Sequence, residues 1–565
     1  MQKLRLAALT IAVVGLAAAG ANAQTVVSAN VTTNTTWGGA ANPSPIILQN
    51  PIFVKSGATL TILPGTIVRG QPRSGPVVEG STVGTPGALI VTQTGRIVAN
   101  GSAAAPIVMT TAAVDNDDDG VADLVGGFEK EWVPGDLFLD DTPTTAPLAP
   151  LNKDGFSNVA LWGGLVVLGN APTNNADKAG VGYGKTLVEG LTVPGFLDED
   201  ASYGGVEPHD NSGSLRFISI RHAGDELGLG NELNGLSLGG VGDGTTVENI
   251  EVYCNFDDGV EWFGGTVNGK NLFVAYVGDD VFDLDEGYTG TNQFLFGIMP
   301  FFNENGGTPY GSVSGDKAGE FDGDNYRPDN TDLNNNVNIR RGIDALPASE
   351  PTPWPLSNPA MFNMTLIGST PDAPQFFTPA SVASVNRGIQ ARNGFAGLVS
   401  NSVVINTGTE EGFEVGPSAV ETPGFDVVTN TTNGLIAFAC TTFDNTGTLD
   451  ATELLASTNG NTLQASWGGA ANSANTINVA AYPGLTNEDT TFDPTGNADG
   501  KLDPSIKPAP INPRPLGGLT GTAGCVFPPN PALSKVNYRG AFASTAVTLW
   551  TTPWTALNIG GVLAD

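Results

Sequence analysis

The stretch that decides the fold is Asn255-Phe-Asp-Asp-Gly-Val-Glu-Trp-Phe-Gly-Gly265-Thr-Val-Asn-Gly-Lys-Asn-Leu-Phe-Val274. It is followed by Val277-Gly-Asp-Asp-Val-Phe-Asp-Leu-Asp-Glu-Gly287 and Asn292-Gln-Phe-Leu-Phe296, which read as its copy. Asp257 falls on Asp279, Asp258 on Asp280, Glu261 on Asp283, Gly265 on Gly287, Leu272 on Phe294 and Val274 on Phe296, an offset of 22 residues. One unit earlier, Asn249-Ile-Glu-Val252 aligns with Asn271-Leu-Phe-Val274 at the same offset. Ser214 to Ile220 reads as the strand before that, displaced by an insertion between Asp225 and Asn234. A fixed short period signals a solenoid or a propeller. Twenty-two residues are too few for a four-stranded blade but fit three short strands and three turns, one coil of a parallel β-helix.

Alternation supports this. In Val260-Glu261-Trp262 and Phe282-Asp283-Leu284-Asp285 apolar residues alternate with acids, so period two puts the apolar set inside and the acids outside. Thr59–Ile62, Gly65–Val68, Ala88–Val91, Arg96–Val98 and Pro106–Thr110 have the same character, with Gly65, Gly95 and Asn100-Gly101 as turns. Composition agrees. Glycine (75) and proline (39) make up a fifth of 565 residues, and only 14% are charged, which disfavours helix-rich architectures. The expected fold is all-β, a right-handed parallel β-helix over 24–510 with long acidic insertions near 112–157 and 299–360. Residues 511–565, with Trp550 and Trp554, read as an aromatic C-terminal cap over the last coil.

Charge narrows the function. Asp and Glu outnumber Lys and Arg 57 to 24, a net charge of −33. Such a surface repels phosphate backbones and anionic membranes, which excludes nucleic acid as a main partner; cations suit it. Residues 1–23 read as a secretory signal peptide, with Lys3 and Arg5, an apolar run from Leu6 to Ala19 and a small-x-small site at Ala21-Asn-Ala23. Its removal takes the net charge to −35. No later stretch is long and apolar enough for a transmembrane helix. The expected location is the periplasm, cell surface or medium of a bacterium. Of three cysteines, Cys440 and Cys525 are free to pair in an oxidising compartment, and Cys254, in an apolar stretch, reads as a buried thiol.

Gly57 to Thr66, Trp162 to Gly169, Asp257 to Val267 and Tyr538 to Phe542 resemble a large group of secreted or surface bacterial proteins, the right-handed β-helix proteins of the pectin-lyase-like superfamily. The resemblance implies the fold over most of the mature chain and no particular activity.

Three carboxylate constellations carry the chemistry. Acids on successive coils lie about 4.8 Å apart and repel by about 1 kcal/mol in water, or about 3 to 4 at an effective dielectric of 20. Asp257 over Asp279 and Glu261 over Asp283 therefore call for a cation, a shared proton or splayed turns; Asp316–Asp322 and Glu410–Glu414 are similar. The plain alternative is that Asp and Gly suit tight turns. Second, Asp115-Asn-Asp117-Asp-Asp119-Gly120-Val-Ala-Asp123 is the start of a calcium loop lacking the final Glu, since Gly126 stands at position twelve. Asn497–Asp503 and Asp444–Glu453 are weaker echoes. Ca2+ is the expected ion, with Asp115, Asp117, Asp119, Asp123, Glu261 and Asp283 as ligands. Third, Asn255-Phe-Asp257 followed by Gly278-Asp279-Asp280 is similar to the acid pair of polygalacturonases, which implies Asp257, Asp279 and Asp280 as acid and base of an inverting hydrolase. That family's Gly-His-Gly and Arg-Ile-Lys motifs are missing; His209 and His222 both lie upstream. A calcium-assisted lyase with Lys270 or Lys317 as base is a further possibility. His209 and His222 with Asp210 or Asp225 form a weaker candidate metal set. Scarce cationic subsites favour a binding or structural role toward polysaccharide or envelope partners, with a polysaccharide-active enzyme as the alternative.

Overall fold

The computed structural model describes residues 24–76, 84–125, 128–130, 132–133, 135–150, 158–174, 185–191, 196–227, 232–299, 316–323, 357–368, 387–405, 412–415, 430, 436–444, 476–477, 511–514 and 533–563. Residues 1–23, read above as a signal peptide, and the loop at 497–503 lie outside them.

The chain is a right-handed parallel β-helix. Among the described residues nine parallel strands make one face: Pro51–Val54, Ala88–Val91, Leu165–Leu168, Leu236–Gly239, Val260–Phe263, Phe282–Asp285, Lys317–Asp322, Arg387–Arg392 and Phe413–Val415. A second sheet of eighteen strands supplies the other faces. Its longest members, Gly213–Arg221, Thr246–Tyr253, Asn268–Ala275 and Thr291–Ile298, each bend at one residue in the left-handed region: Phe217, Asn249, Asn271 and Phe294, with φ between 50 and 61°. Asn363 and Asn401 stand at the same corner in later coils. Asparagine tolerates this conformation, and the corner is laced by its amides: Asn271 Nδ2 donates to Asn249 Oδ1 at 3.0 Å, and Gln293 Nε2 to Asn363 Oδ1 at 3.0 Å.

The inside is apolar because period two puts alternate residues there. Val260, Trp262, Phe282, Leu284, Leu272 and Leu295 share one core that runs the length of the helix. Trp262 packs on Tyr288 with ring centroids 5.4 Å apart. Each such side chain contributes about 1.5–3 kcal/mol on leaving water. The 22-residue register holds between Val260 and Phe282 and between Ile250 and Leu272. It slips to 23 on the next step, where Leu272 pairs with Leu295 and not Phe294. The extra residue lies in the turn after Gly287, which leaves the inward set in phase: Leu295 enters the core and Phe296 faces out.

Two further expectations are corrected. The excursion at 299–360 is interrupted by a true coil strand, Lys317–Asp322, paired with Phe282–Asp285 on one side and Arg387–Arg392 on the other. The C-terminal residues 533–563 lie along the flank as a strap. Asn363 Nδ2 donates to Tyr538 O at 2.9 Å, Phe542 packs edge-on against Phe296 at 5.0 Å, Trp554 packs on Phe217 at 5.6 Å, and Ala556 N donates to Glu251 at 2.7 Å. The reason is an outward apolar stripe that includes Phe273 and Phe296, to which the strap adds Phe542, while Tyr253 donates to Leu148 O on another segment. Cys254 is free and buried and Cys440 is disulfide-bonded; Cys525, the third cysteine, lies outside the described residues. Among the described residues no helix is long and apolar enough to cross a membrane.

Candidate functional site

The outward residues of the nine-stranded face form one column: Phe53, Ile90, Val166, Ser237, Glu261, Asp283, Glu320, Gln390 and Glu414. Its first part is apolar and packs under Val188, Leu191, Tyr203 and Leu233. At Glu261 it turns acidic, where the cover becomes polar. Glu261 and Asp283 are directly paired, as the 22-residue repeat predicts. They point away from the core yet are only 5% and 8% exposed. Asn234 Nδ2 donates to Glu261 Oε2, and Asp283 Oδ1 is buried without a hydrogen-bond partner.

The turn leading into these strands adds a second column. Asn234 Oδ1 accepts from Asp258 N at 3.2 Å, Asp258 Oδ1 from Asp280 N at 2.8 Å, and Asp280 Oδ1 from Lys317 N at 2.7 Å. Each carboxylate thus holds the amide of the next coil with one oxygen, so the turn explanation for these aspartates holds for half of each side chain. Asp257 and Asp279 sit beside this ladder, joined through Asp279 N and Asp257 O at 3.4 Å. One carboxylate oxygen from each of Asp257, Asp258 and Asp279 lies within 4.8 Å of the others. The same spacing holds for Asp258, Glu261 and Asp283, and for Asp279, Asp280 and Asp316.

Charge compensation is lopsided. Lys317 Nζ bonds to Asp316, lies 2.8 Å from Glu320 Oε1 and 3.5 Å from Asp280 Oδ2. Arg392 pairs with Glu320 at 2.7 Å and Asp322 at 2.8 Å. Their acid neighbours keep both cations firmly protonated against the cost of burial. Lys317 is therefore no base, and Lys270 lies on another face, opposite Glu248 and Gln293. Toward the other end, burial, and then the charges of Glu189, Asp283, Asp258 and Asp257, push the Glu261 carboxyl well above its usual range. Burial followed by neighbouring acids does the same to Asp257 and Asp258. Asp280 and Asp283 are likewise raised, chiefly by burial, although Lys317 opposes the shift at Asp280, and a side-chain hydrogen bond with Glu261 and then the charge of Arg392 oppose it at Asp283. Asp322, also buried, is pushed up to about 6. Such a group of carboxyls takes up protons or a cation.

The Asp115 loop is folded on its own backbone. Asp115 is 4% exposed and accepts from Asp119 N at 3.0 Å and Gly120 N at 2.7 Å. Asp118 and Gly120 have φ of 56 and 79°. Asp115, Asp117 and Asp119 place carboxylate oxygens within 4.8 Å of one another. Asp123 turns back, accepting from Asn116 N at 2.8 Å, and stands outside that group.

The histidines serve elsewhere. His222 Nδ1 meets Asn158 O at 2.6 Å in a fully buried site that lowers its pKa to about 4, chiefly by desolvation. His209 Nδ1 lies 2.7 Å from Asp243 Oδ1 at the surface. Asp225 pairs with Arg73. Neither histidine joins a metal-capable group of three among the described residues. Sequence reasoning missed Asn234, which takes the place of Asp258 one coil earlier but carries an amide there, and Glu189, whose charge acts on Glu261 and Asp257 from outside the repeat.

The pectate-lyase-like beta helix domain family matches residues 29–127 and 156–483. Comparison with curated proteins and with solved structures finds no match. The matched segments cover well over half of the molecule, and the chain belongs to the pectate-lyase-like β-helix domain family.

Proposed function

We propose that this is an exported, calcium-stabilised β-helix protein of the cell surface or extracellular space that binds carbohydrate or envelope partners along its acidic face. The observation that carries the reading is the group of buried, outward-pointing carboxylates Asp258, Glu261 and Asp283, whose mutual repulsion a divalent cation relieves. The donors are hard oxygens, which suits calcium better than a soft-ligand metal. The preformed Asp115 loop offers a second place for the same ion. The family's description names a lyase of pectate, an anionic polysaccharide. A face of net negative charge meets such a polymer through bridging calcium, and a neutral glycan without it.

Catalysis is supported less well. Raised proton affinity at Asp257 and Asp279 suits a general acid. Their oxygens, however, lie within 4.8 Å, closer than the roughly 6.5–9.5 Å that leaves room for water in an inverting hydrolase. The lysine nearest the acids is held charged.

The test is thermal unfolding with calcium and with a chelator. A ligand at a hundredfold excess over its Kd stabilises by about 2.7 kcal/mol. We expect calcium to raise Tm, the chelator to reverse it, and retention on immobilised polyuronate to require calcium. Indifference to calcium in both assays removes the calcium part of the reading; release of unsaturated products from the polysaccharide would favour the enzyme.

A further inference from the structure

We propose that the flank where the C-terminal strap meets the coils binds an anionic glycan, with Lys270 and Lys535 as the contacts to its carboxylates and Tyr538 as the ring on which a sugar stacks. This rests on the carbohydrate reading above and adds a contact on a different face, away from the acidic column.

The cations single out the place. With 57 acids to 24 bases, a basic side chain of this chain has no shortage of partners. Among the described residues every lysine and arginine but two makes an ion pair or a hydrogen bond. The two are Lys270 and Lys535, and although far apart in sequence they fall in one patch. Arg216, Glu248, Lys270 and Gln293 stand opposite one another on successive coils, about 4.8 Å per step. Arg216 pairs with Glu248, which leaves the Lys270 ammonium uncompensated. Gln293 is fully buried and clamps the strap: its Nε2 donates to Ser534 O at 2.7 Å, and Ser534 N donates to its Oε1 at 2.8 Å. The clamp delivers the exposed Lys535, one residue on, to the side of the column where Lys270 stands.

Shape and an aromatic ring come with the charge. Lys535, Val536, Asn537 and Tyr538 line an open cleft of about 360 Å3. The half-buried Tyr538 ring is stacked on Phe294, with centroids 6.3 Å and planes 21° apart, and its carbonyl accepts from Asn363 Nδ2 at 2.9 Å. Phe294 is the neighbour of Gln293, so the ring and the two ammonium groups are anchored to the same strand. A ring fixed from behind offers an apolar face with a polar tip, which suits the C–H face of a sugar. Lysine is a strongly hydrated point charge on a flexible stem, which suits a carboxylate carried outside that ring. Duplex DNA, with one charge per roughly 1.7 Å of axis, is repelled by the rest of a chain of net charge −33. A glycan with at most one carboxylate per sugar is repelled less, and it is the class of polyanion this patch fits.

The experiment titrates the full chain with a galacturonate oligomer by isothermal titration calorimetry, in calcium chloride throughout so that the acidic face is in the same state in every variant. Lys270→Ala with Lys535→Ala should weaken binding about five- to thirtyfold, as two exposed charge contacts do, and should flatten its dependence on sodium chloride. Neither lysine has a partner within the fold, so the pair should leave Tm unchanged. Tyr538→Leu should weaken binding about threefold or more and leave the salt dependence in place, because the stack carries no charge. Unchanged affinity in the lysine pair, or a salt dependence the pair does not alter, overturns the flank site while the carbohydrate reading stands. Equal affinity for a neutral glucan oligomer overturns the anionic class. Tighter binding of duplex DNA through the same two lysines overturns the choice of glycan. No binding of either oligomer by the unmutated chain removes the carbohydrate reading and this site with it.

Discussion

Glu251 is the residue on which the C-terminal strap turns. It is fully buried and accepts from Ala556 N at 2.7 and 2.8 Å through its two oxygens. It also accepts from Ser219 Oγ and faces Arg221 Nη2 at 4.0 Å. Glu251→Ala strips those donors of their acceptor and leaves a buried guanidinium without its counter-charge. Breaking a buried pair in this way costs about 3–5 kcal/mol. Part of the loss falls on the coils, through Ser219 and Arg221, and the part that falls on the strap is the bond from Ala556 N, a hydrogen bond to a charged group worth about 1.5–3 kcal/mol. Each 1.4 kcal/mol is tenfold in an equilibrium, so losing the strap's bond should raise the detached state by about one to two orders of magnitude. Limited proteolysis reads this directly, because cleavage follows the population of the open form when reclosing is fast. We expect cutting within 533–563 to accelerate by that factor while far-ultraviolet dichroism stays that of a β-helix. Glu251→Gln, which keeps an acceptor and loses the charge, should fall between. A strap as protected in Glu251→Ala as in the unmutated chain would refute the reasoning.

Phe296 is stacked on Phe273 at 4.8 Å and capped edge-on by Phe542 at 5.0 Å; Phe296→Ala should cost about 3–5 kcal/mol, read by denaturant melts, and should also loosen the strap. Gly213 has a φ of 127° and an added Cβ would stand 1.7 Å from Ile97 O, so Gly213→Ala should destabilise by about 3 kcal/mol or more, seen as a lower Tm. His222 is neutral in the fold, with its pKa lowered from 6.5 to about 4. The unfolded chain takes up the proton first, so stability should fall as pH drops from 6.5 to 4, by about 3 kcal/mol in all. The raised carboxyls of the acidic column act with the opposite sign as pH falls, so the histidine's share is read as the difference between the unmutated chain and His222→Gln in chemical denaturation across that window.

The coil was legible because its period is written twice without interruption, and Glu261 over Asp283 followed from it. The slip to 23 was not, since the added residue sits among Tyr288, Thr289 and Gly290, where a turn absorbs it without disturbing the apolar phase. Asp316–Asp322 stands out in the sequence as similar to the acidic column but reads as part of an excursion, because Lys-Ala-Gly-Glu-Phe-Asp has one strong strand former and owes its conformation to the neighbours on both sides. Period two correctly predicted which way the acids point and wrongly suggested that they meet water. Asn234, which holds Glu261, stands one coil earlier as the counterpart of Asp258, and an asparagine there hides the acidic column's continuation. The strap was equally hidden: Glu251 and Ala556 are 305 residues apart, and aromatic density near Trp550 and Trp554 signals only that something must be covered.

The strap sets a timetable for the nascent polypeptide. Tyr253, Phe273 and Phe296 emerge well before Phe542, which covers Phe296. At roughly 5–20 residues per second the ribosome needs on the order of 10–50 s to supply the missing lid. During that interval the half-made molecule carries a bare greasy seam that a chaperone or a sister chain is free to grasp, and a premature stop upstream of Tyr538 makes the exposure permanent.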